Sequence, residues 1–278
     1  MADCIQSIQR RSLLYKRPGD LFGFQGRSRR LNLLQPCLGI PIYNHAETIA
    51  SVVGSLERYG LPCIIVDDGS HQATRRELEK IVSHYKWVDV VRHEANRGRG
   101  AALRTLYQSA ADRDYTHVVQ LDSDGQHQAN DVPLFLEAAR QDPAALILGA
   151  PIFDDSAPFH RLYGRKLSQA IVWLETLSLA VRDPLCGFRC IPLGPALQVL
   201  RGVRSGDRMD FDPELIIRMV RSGSPVVNIP TQVIYPAHGI SHFRMFLDNV
   251  KIALAYLRLA ISPLTQMSWF PKTWRVRR

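Results

Sequence analysis

A run of apolar residues that ends in two aspartates constrains the fold more than any other stretch of this chain. Residues 118–121 hold three apolar side chains in four positions, as expected for a short strand that is buried on both faces. Asp122 and Asp124 follow at once, and Gly125 ends the run. Two carboxylates at a strand end can point at one cation, and oxygen atoms are the ligands that hard divalent metals prefer. The stretch therefore predicts a buried strand that leads into a metal site.

Short apolar runs alternate with helical patterns over the first half of the chain. Strands are predicted at 38–43, 63–66, 88–91 and 145–150, and helices at 46–59, 72–86, 96–111 and 130–141. This alternation with short links is typical of an α/β fold with a mainly parallel sheet flanked by helices. Ligands bind such sheets outside the carboxyl ends of the strands. Asp67 and Asp68, which end the second strand, should therefore face the same crevice as Asp122 and Asp124.

Three segments are expected along the chain. Residues 1–36 lack a clear period and are predicted to be a loosely ordered basic extension, residues 37–245 a catalytic domain, and residues 246–278 the end of an amphipathic helix followed by a basic aromatic tail. Amphipathic helices are predicted at about 160–181 and 243–261. Their apolar faces either pack against the sheet or lie on a membrane.

Basic residues are concentrated at the two ends of the chain. Residues 1–36 hold seven Lys and Arg against two acids, residues 264–278 hold four and no acid, and residues 37–263 hold 24 of each sign. Trp269, Phe270 and Trp274 lie among the C-terminal charges, a mixture that suits an anionic membrane surface and is also found in solvated tails. Nucleic acid is not expected as a partner, because a nucleic-acid binder should carry its basic stripe on the folded body.

The cysteines and the apolar runs indicate a cytoplasmic protein. Five cysteines without a Cys-x-x-Cys pair predict neither a disulfide framework nor a zinc site. The basic N-terminus has no apolar segment after it, and so no secretory signal is expected. No uncharged apolar run reaches the roughly 18 residues that a spanning helix needs. The chain is therefore not expected to cross a membrane by itself.

Five ordered motifs resemble those of family-2 glycosyltransferases with the GT-A fold, and most closely the branch that transfers sugars to polyprenyl or dolichyl phosphate. They are Pro41-x-Tyr43-Asn44, Val66-Asp67-Asp68-Gly69-Ser70, Asn96-x-Gly98-x-Gly100-Ala101, Asp122-x-Asp124-Gly125-Gln126-His127 and Cys186-Gly187-Phe188-Arg189. The resemblance covers about residues 37–245. It implies a Rossmann-like GT-A fold with C-terminal helices on the acceptor side.

The resemblance also implies an inverting transfer of a sugar from a nucleotide diphosphate donor. The residues expected to bind the nucleotide sugar are Pro41, Tyr43, Asn44, Asp67, Asp68, Asn96, Gly98 and Asp122. Asp122, Asp124 and Gln126 are expected to hold Mg²⁺ or Mn²⁺ against the diphosphate, whose growing negative charge a cation stabilises. The glycine-rich segment at Asn96 either presents amide groups to a phosphate or is a loop that merely ends a strand.

One position departs from the family pattern. The family usually has Glu after Tyr-Asn, whereas this chain has His45. An imidazole cannot replace a carboxylate as an acceptor at neutral pH, which leaves the donor base or sugar open. His45 could equally be a surface residue at the start of a helix.

The acceptor side is predicted from basic and acidic residues in the second half of the chain. Arg165 and Arg189 resemble positions that meet an acceptor phosphate, a role that suits the forked guanidinium group; surface salt bridging is the alternative for Arg165. A phosphate acceptor is already an anion and needs no general base, whereas a hydroxyl acceptor needs a carboxylate, for which Asp212 comes first. Asp212 could instead cap the helix that begins near Pro213.

The sequence thus predicts a metal-dependent hexosyltransferase that acts on a lipid-linked acceptor at the inner, cytosolic face of the membrane. Its expected partners are a nucleotide sugar, the lipid acceptor, an anionic membrane surface and a membrane partner subunit. The first alternative is a transferase that acts on a hydroxyl of a lipid, polyketide or glycan with Asp212 as base. The second is a non-catalytic scaffold that binds nucleotide sugar or lipid, against which the intact Asp122-x-Asp124 pair argues.

Overall fold

A computed structural model describes residues 34–152, 159–203, 205–233, 254 and 256–259. Within 159–203, it describes the backbone from residue 159 and the side chains from residue 164. Almost all of the predicted N-terminal extension, most of the predicted helix at 243–261 and the C-terminal tail lie outside these residues. The three-segment division of the chain therefore stays a prediction.

The elements follow the predicted alternation of strands and helices. The strands are β1 Pro36–Ile42, β2 Cys63–Asp67, β3 Val88–Arg92, β4 His117–Gln120, β5 Leu146–Ile152, β6 Arg189–Pro192 and β7 Val226–Gln232. The α-helices are α1 Ala46–Leu56, α2 Gln72–His84, α3 Arg99–Ala111, α4 Val132–Gln141, α5 Phe159–Thr176, α6 Leu193–Leu200 and α7 Phe211–Arg221. Short 3₁₀ helices at Glu57–Tyr59 and Ala129–Asp131 follow α1 and precede α4.

The strands form one sheet in the order β3-β2-β1-β4-β6-β5-β7. β6 runs antiparallel to both β4 and β5, and the other pairs are parallel, so the expected mainly parallel sheet is confirmed. The reversed strand β6 was not predicted. It has only four residues, and its pairing with β4 and β5 is long-range.

Two apolar cores cover the opposite faces of the sheet. Successive side chains of β2 alternate between them: Ile64 and Val66 belong to the first core, and Cys63 and Ile65 to the second. The first core is completed by buried residues of α3, α5, α6 and α7, and the second by those of α1, α2 and α4. With both faces covered, ligands have access only at the ends of the strands.

The long helix α5 is shorter than the sequence pattern indicates. It ends at Thr176 rather than near 181, because Leu177 adopts a left-handed conformation with φ of 49°. Val172 is buried in the first core, so one face of α5 packs against the body of the protein. No helix among the described residues is long and apolar enough to span a bilayer.

The packing of β1 against β4 and α3 leaves no room for a side chain at Gly39. A Cβ atom there would lie 2.6 Å from Cγ1 of Val118 and 2.7 Å from Cδ2 of Leu106. We expect Gly39→Ala to lower the free energy of unfolding by about 1–3 kcal/mol through overpacking. Urea denaturation measures this change.

Gly54→Ala is the matched control. Gly54 lies inside α1, and a Cβ atom there would meet only the hydroxyl of Tyr85 at 3.5 Å, an ordinary contact. Replacing a helical glycine should raise the free energy of unfolding by up to about 1 kcal/mol. Equal destabilisation by both variants would contradict the close packing at Gly39.

Candidate active site

The loop that follows β4 holds the two aspartates of the predicted metal site. The amide of Leu121 donates to the carbonyl of Gly39 at 3.0 Å, which extends the sheet up to the first aspartate. Asp124 Oδ1 accepts a hydrogen bond from the amide of Gln126 at 3.0 Å, and Gly125 between them has φ of 74°, a conformation that favours glycine. The hydroxyl of Thr48 in α1 donates to the carbonyl of Ser123 at 2.6 Å and fixes the loop to the helix.

Asp122 lies between two cationic or potentially cationic groups. Its Oδ1 is 2.7 Å from Nη2 of Arg99, and its Oδ2 is 3.6 Å from Nε2 of His127. Burial alone would raise the pKa of Asp122, but Arg99 and His127 outweigh burial and hold this pKa far below its usual range. Gly187 packs directly on the carboxylate, because a Cβ atom at that position would lie 1.9 Å from Oδ2.

Asp124 has the opposite electrostatic environment. Burial, and then the nearby carboxylate of Asp122, raise the pKa of Asp124. Two carboxylates that repel each other in a partly buried loop are the arrangement that a divalent cation relieves, and the amide oxygen of Gln126 is a further hard ligand. Among the described residues, no group of three or more His, Cys, Asp or Glu side chains is arranged so that it could hold a metal ion by itself. The donor set fits Mg²⁺ or Mn²⁺ only if the diphosphate supplies further oxygen ligands.

A row of alternating charges connects this loop to the acceptor side. Arg99, the first residue of α3, pairs through Nη2 with Asp122 and through Nε with Oδ2 of Asp212 at 2.8 Å. Oδ1 of Asp212 accepts a hydrogen bond of 2.5 Å from Nη1 of Arg189, which is fully buried. The remaining groups of Arg189 donate to the carbonyls of Cys186 and Pro184 at 2.6 and 2.9 Å. Both oxygens of Asp212 thus have a guanidinium partner.

The predicted acceptor residues Arg165 and Arg189 are both held by carboxylates. Nη1 of Arg165 lies 2.7 Å from Oδ2 of Asp183, whose Oδ1 accepts a hydrogen bond from the amide of Leu185. Arg189 faces the protein interior and positions Asp212. The structure gives Arg189 no open surface at which it could meet an acceptor phosphate, and the contact predicted for Arg165 remains a prediction.

Asp67 and Asp68 organise the loops beside the sheet. Oδ1 of Asp67 accepts a hydrogen bond from the amide of Ser70, and its Oδ2 pairs with Nε of Arg92, both at 2.9 Å. Asp68 is buried, and its oxygens contact Nδ1 of His93, Nδ2 of Asn96 and the amides of Arg97 and Gly98 at 2.7–3.0 Å. These contacts hold the glycine-rich segment in place, and nucleotide binding by Asp67, Asp68 and Asn96 stays a prediction.

The glycine-rich segment packs too closely to form an open phosphate cradle at Gly98. The amide of Gly98 already donates to Asp68, and the amide of Ala101 donates to the carbonyl of Asp207 at 3.1 Å. Gly98 has φ of 106°, and a Cβ atom there would lie 2.4 Å from the same carbonyl. The structure therefore favours the alternative that the segment is a packed loop, in which Gly98 permits close approach to Asp207 and Arg208.

The Tyr43-Asn44-His45 segment lies where β1 meets α1. Asn44 has φ of 58°, its amide donates to the hydroxyl of Ser70 at 3.0 Å, and its Oδ1 accepts from the amide of His71 at 2.8 Å. Tyr43 lies with its ring centroid 6.4 Å from that of His71, and Pro41 is buried in β1. The backbone places His45 at the N-terminus of α1, and a positive charge on its imidazole would lower the pKa of Asp124. His45 therefore lies at the start of a helix, as one alternative expected, and its effect on the donor stays a prediction.

The family follows from a comparison with known proteins. Residues 37–187 match the sequence pattern of glycosyl transferase family 2. The chain is a family 2 glycosyltransferase. This enzyme class was expected from the motifs, and the non-catalytic alternative is set aside because the chain belongs to a family of enzymes.

Relatives and a solved structure agree with this assignment. The glycosyltransferase is 25% identical over 236 residues to the UDP-N-acetylglucosamine–dolichyl-phosphate N-acetylglucosaminyltransferase of Methanococcus voltae, an alignment of 79% of this chain and 94% of that protein. It is 25% identical over 200 residues to the undecaprenyl-phosphate mannosyltransferase of Micrococcus luteus, covering 69% and 80%. Glucosyl-3-phosphoglycerate synthase from Mycobacterium tuberculosis, solved with Mn²⁺ and UDP-glucose, matches with a TM-score of 0.59 at 16% identity over 86% of this chain and 80% of that one. The expected GT-A fold is thereby confirmed.

Sequence patterns missed two residues of this site and assigned a different role to a third. Arg99, which joins Asp122 to Asp212, stands at an unspecified position of the glycine-rich motif. Gly187 was seen only as part of a motif, and Arg189 was predicted to meet an acceptor phosphate, because their contacts with Asp122 and Asp212 are long-range. The sequence signal that could have pointed to Arg99 was its position between two glycines of a motif.

Removal of the Asp212 carboxylate should destabilise the glycosyltransferase strongly. Asp212→Ala leaves the fully buried guanidinium of Arg189 without its partner, which costs about 3–5 kcal/mol in other buried pairs. Asp207→Ala is the control, since Asp207 pairs with Arg104 at the exposed surface and such pairs contribute about 0–1 kcal/mol. Denaturant unfolding of both variants tests this, and similar losses would contradict the central place of the Asp212 pair.

Proposed function

We propose that this glycosyltransferase moves a sugar, with inversion, from a nucleotide diphosphate donor to the phosphate of a polyprenyl-phosphate-like lipid. The names of the relatives from Methanococcus voltae and Micrococcus luteus support a lipid-phosphate acceptor. The complex of glucosyl-3-phosphoglycerate synthase with Mn²⁺ and UDP-glucose supports a nucleotide sugar and a divalent metal. The solved neighbour acts on phosphoglycerate according to its name, so the acceptor of this chain depends on its own residues.

The hydrogen bonds of Asp212 are the observation that distinguishes a phosphate acceptor from a hydroxyl acceptor. A general base must present an oxygen to the hydroxyl proton that it removes. Each oxygen of Asp212 is instead bonded to a guanidinium, one from Arg99 and one from Arg189, and the residue is buried. An acceptor that is already ionised requires no such base. The arrangement therefore favours a phosphate oxygen as nucleophile over a hydroxyl.

The reaction needs few groups from the protein. One oxygen of the acceptor phosphate forms a bond to the anomeric carbon, the bond from that carbon to the diphosphate breaks, and the nucleotide diphosphate leaves with the bonding electrons. A divalent cation bound by Asp122, Asp124 and Gln126 would stabilise the charge that develops on the diphosphate. Arg99 keeps Asp122 ionised and fixes its position, and His45 is the side chain near Asp124 that could influence the choice of sugar.

The setting of the reaction follows from its acceptor. A lipid phosphate is reached at a membrane surface, and the basic chain termini suit the anionic cytosolic face. We place the enzyme in the cytoplasm, peripheral at the inner face of the membrane. A membrane partner subunit remains a candidate partner.

Donor and metal are tested together by thermal stabilisation. UDP-, GDP- and dTDP-sugars are each added with and without Mn²⁺, and one nucleotide is expected to raise the melting temperature only with metal. A ligand at about 100 times its Kd stabilises the native state by about 2.7 kcal/mol. Because the pKa of Asp124 is raised, protons compete with the metal at higher pH than at an ordinary carboxyl, and the shift should shrink as the pH falls.

Two variants make this screen specific. Asp124→Asn should lose the metal-dependent shift, whereas Asp89→Asn, an exposed carboxylate of β3, should retain it. If no nucleotide sugar stabilises the wild-type protein under any condition, the proposed donor site is wrong.

The acceptor is tested by product formation from three compounds with the donor identified above. Undecaprenyl phosphate should be glycosylated, while undecaprenol and 3-phosphoglycerate should not, since a hydroxyl nucleophile needs a free base. Mass spectrometry distinguishes a sugar–phosphate product from a glycoside. Transfer to undecaprenol or to 3-phosphoglycerate at a comparable rate would instead support the hydroxyl alternative.

A further inference from the structure

Four leucines on α5 and the turn after it are largely exposed. Between 56 and 89% of their surface is accessible, and we call them the leucine surface: Leu167, Leu174, Leu177 and Leu179. Leu167 and Leu174 are seven residues apart, two helical turns, and so lie on one side of α5. The other side of the helix is buried in the first core through Val172. Contiguous exposed apolar residues of this kind mark interaction sites.

Hydrogen bonds hold the turn that contains Leu177 and Leu179. Nε1 of Trp173 donates to the carbonyl of Val181 at 2.7 Å, and Nδ2 of Asn228 donates to the carbonyl of Ala180 at 2.7 Å. Leu177, the most exposed of the four leucines, has φ of 49°, a conformation that branched apolar residues rarely adopt. A fixed turn that holds a leucine in an unfavourable backbone conformation and in contact with water points to a function outside the fold.

The charges around the leucine surface are positive. Lys166 and Arg182 are exposed at its two ends. The single acid between residues 164 and 182 is Glu175, whose side chain is 7% exposed and is paired with Arg221. An apolar stripe with basic ends and no exposed acid is complementary to a surface of anionic headgroups over hydrocarbon. A second copy of the chain would present the same positive rim and is disfavoured by repulsion.

A second helical segment continues the surface. Leu254 and Leu257 are each 58% exposed, while Tyr256 and Leu259 of the same helix are buried in the first core. Arg221 contacts the carboxylate of Glu175 and donates to the carbonyl of Leu259 at 3.0 Å, which fixes this segment next to the end of α5. Two helical segments that each expose leucines therefore lie next to each other.

We propose that the leucine surface is the membrane-docking face of the enzyme and that it inserts among the headgroups of a bilayer containing anionic lipid. The leucine side chains enter the apolar boundary, and Lys166 and Arg182 meet lipid phosphates. This inference rests on the proposed lipid-phosphate acceptor, which a docked enzyme would meet at the bilayer surface.

Cosedimentation of the full chain with vesicles tests the docking face. The wild-type protein should bind vesicles of phosphatidylglycerol and phosphatidylcholine and bind pure phosphatidylcholine at least tenfold more weakly. The triple variant Leu174→Gln, Leu177→Asn, Leu179→Gln should bind the anionic vesicles at least tenfold more weakly than wild type. Asn is chosen at 177 because it tolerates the left-handed conformation.

Leu134→Gln is the matched control. Leu134 is 51% exposed on α4, whose buried residues belong to the second core on the opposite face of the sheet. This variant should bind vesicles as the wild type does. An unchanged melting temperature of the triple variant shows that it is folded. Three results would overturn the proposal: the wild-type protein does not bind anionic vesicles, the triple variant binds them as the wild type does, or Leu134→Gln loses as much binding as the triple variant.

Two further readouts separate membrane docking from self-association and from damage to the catalytic site. If gel filtration without lipid shows a wild-type dimer that the triple variant loses, the surface is an interface between copies, which overturns the proposal. In transfer assays, the triple variant should lose activity with undecaprenyl phosphate in vesicles and retain it with a water-soluble ten-carbon polyprenyl phosphate. Wild type that transfers sugar to neither acceptor would refute the proposed function, while the vesicle-binding result would still decide the docking face.

Discussion

The row of charges Asp122, Arg99, Asp212 and Arg189 is the interaction on which the site depends. It joins the loop after β4, the start of α3, the start of α7 and the strand β6, which are far apart in sequence. Because each carboxylate has a guanidinium partner, the protein can keep four charges in a mostly buried place without leaving one uncompensated. The same pairing fixes the position of the Asp122 carboxylate and occupies both oxygens of Asp212, and the second effect favours the proposed acceptor, which brings its own negative charge.

Asp68, directly after β2, has a comparable role two strands away from β4. Its carboxylate gathers the side chains of His93 and Asn96 and the amides of the glycine-rich segment, and that segment in turn packs on residues 206–208. The first residue of α3 is Arg99, so the position of the charge row depends on this second carboxylate. Two aspartates at this edge of the sheet thus act together. Asp68 holds the glycine-rich segment in place, and Asp122 pairs with Arg99 of that segment.

Local patterns predicted most of the fold and part of the site. The strands that end at Asp67 and near Asp122, and the common edge of the sheet to which they bring their carboxylates, follow from short apolar runs and from the geometry of parallel sheets. The reversal of β6 and the partners of Arg99 could not be predicted, since Asp212 lies 113 residues further along the chain. The early end of α5 was missed for a different reason: the apolar period continues through Leu177, while the backbone turns there in a conformation that no leucine pattern indicates.

At Gly187, the geometry of the charged site depends on the absence of a side chain. With only 1.9 Å between its missing side chain and the carboxylate of Asp122, the position accepts no other residue unless the aspartate moves. A family member could keep every acidic residue of the Asp-x-Asp loop and still lose this geometry through a single added methyl group in the turn before β6. Intact aspartates are therefore an insufficient criterion for activity when sequences of this family are sorted, and the small residue opposite them has to be inspected as well.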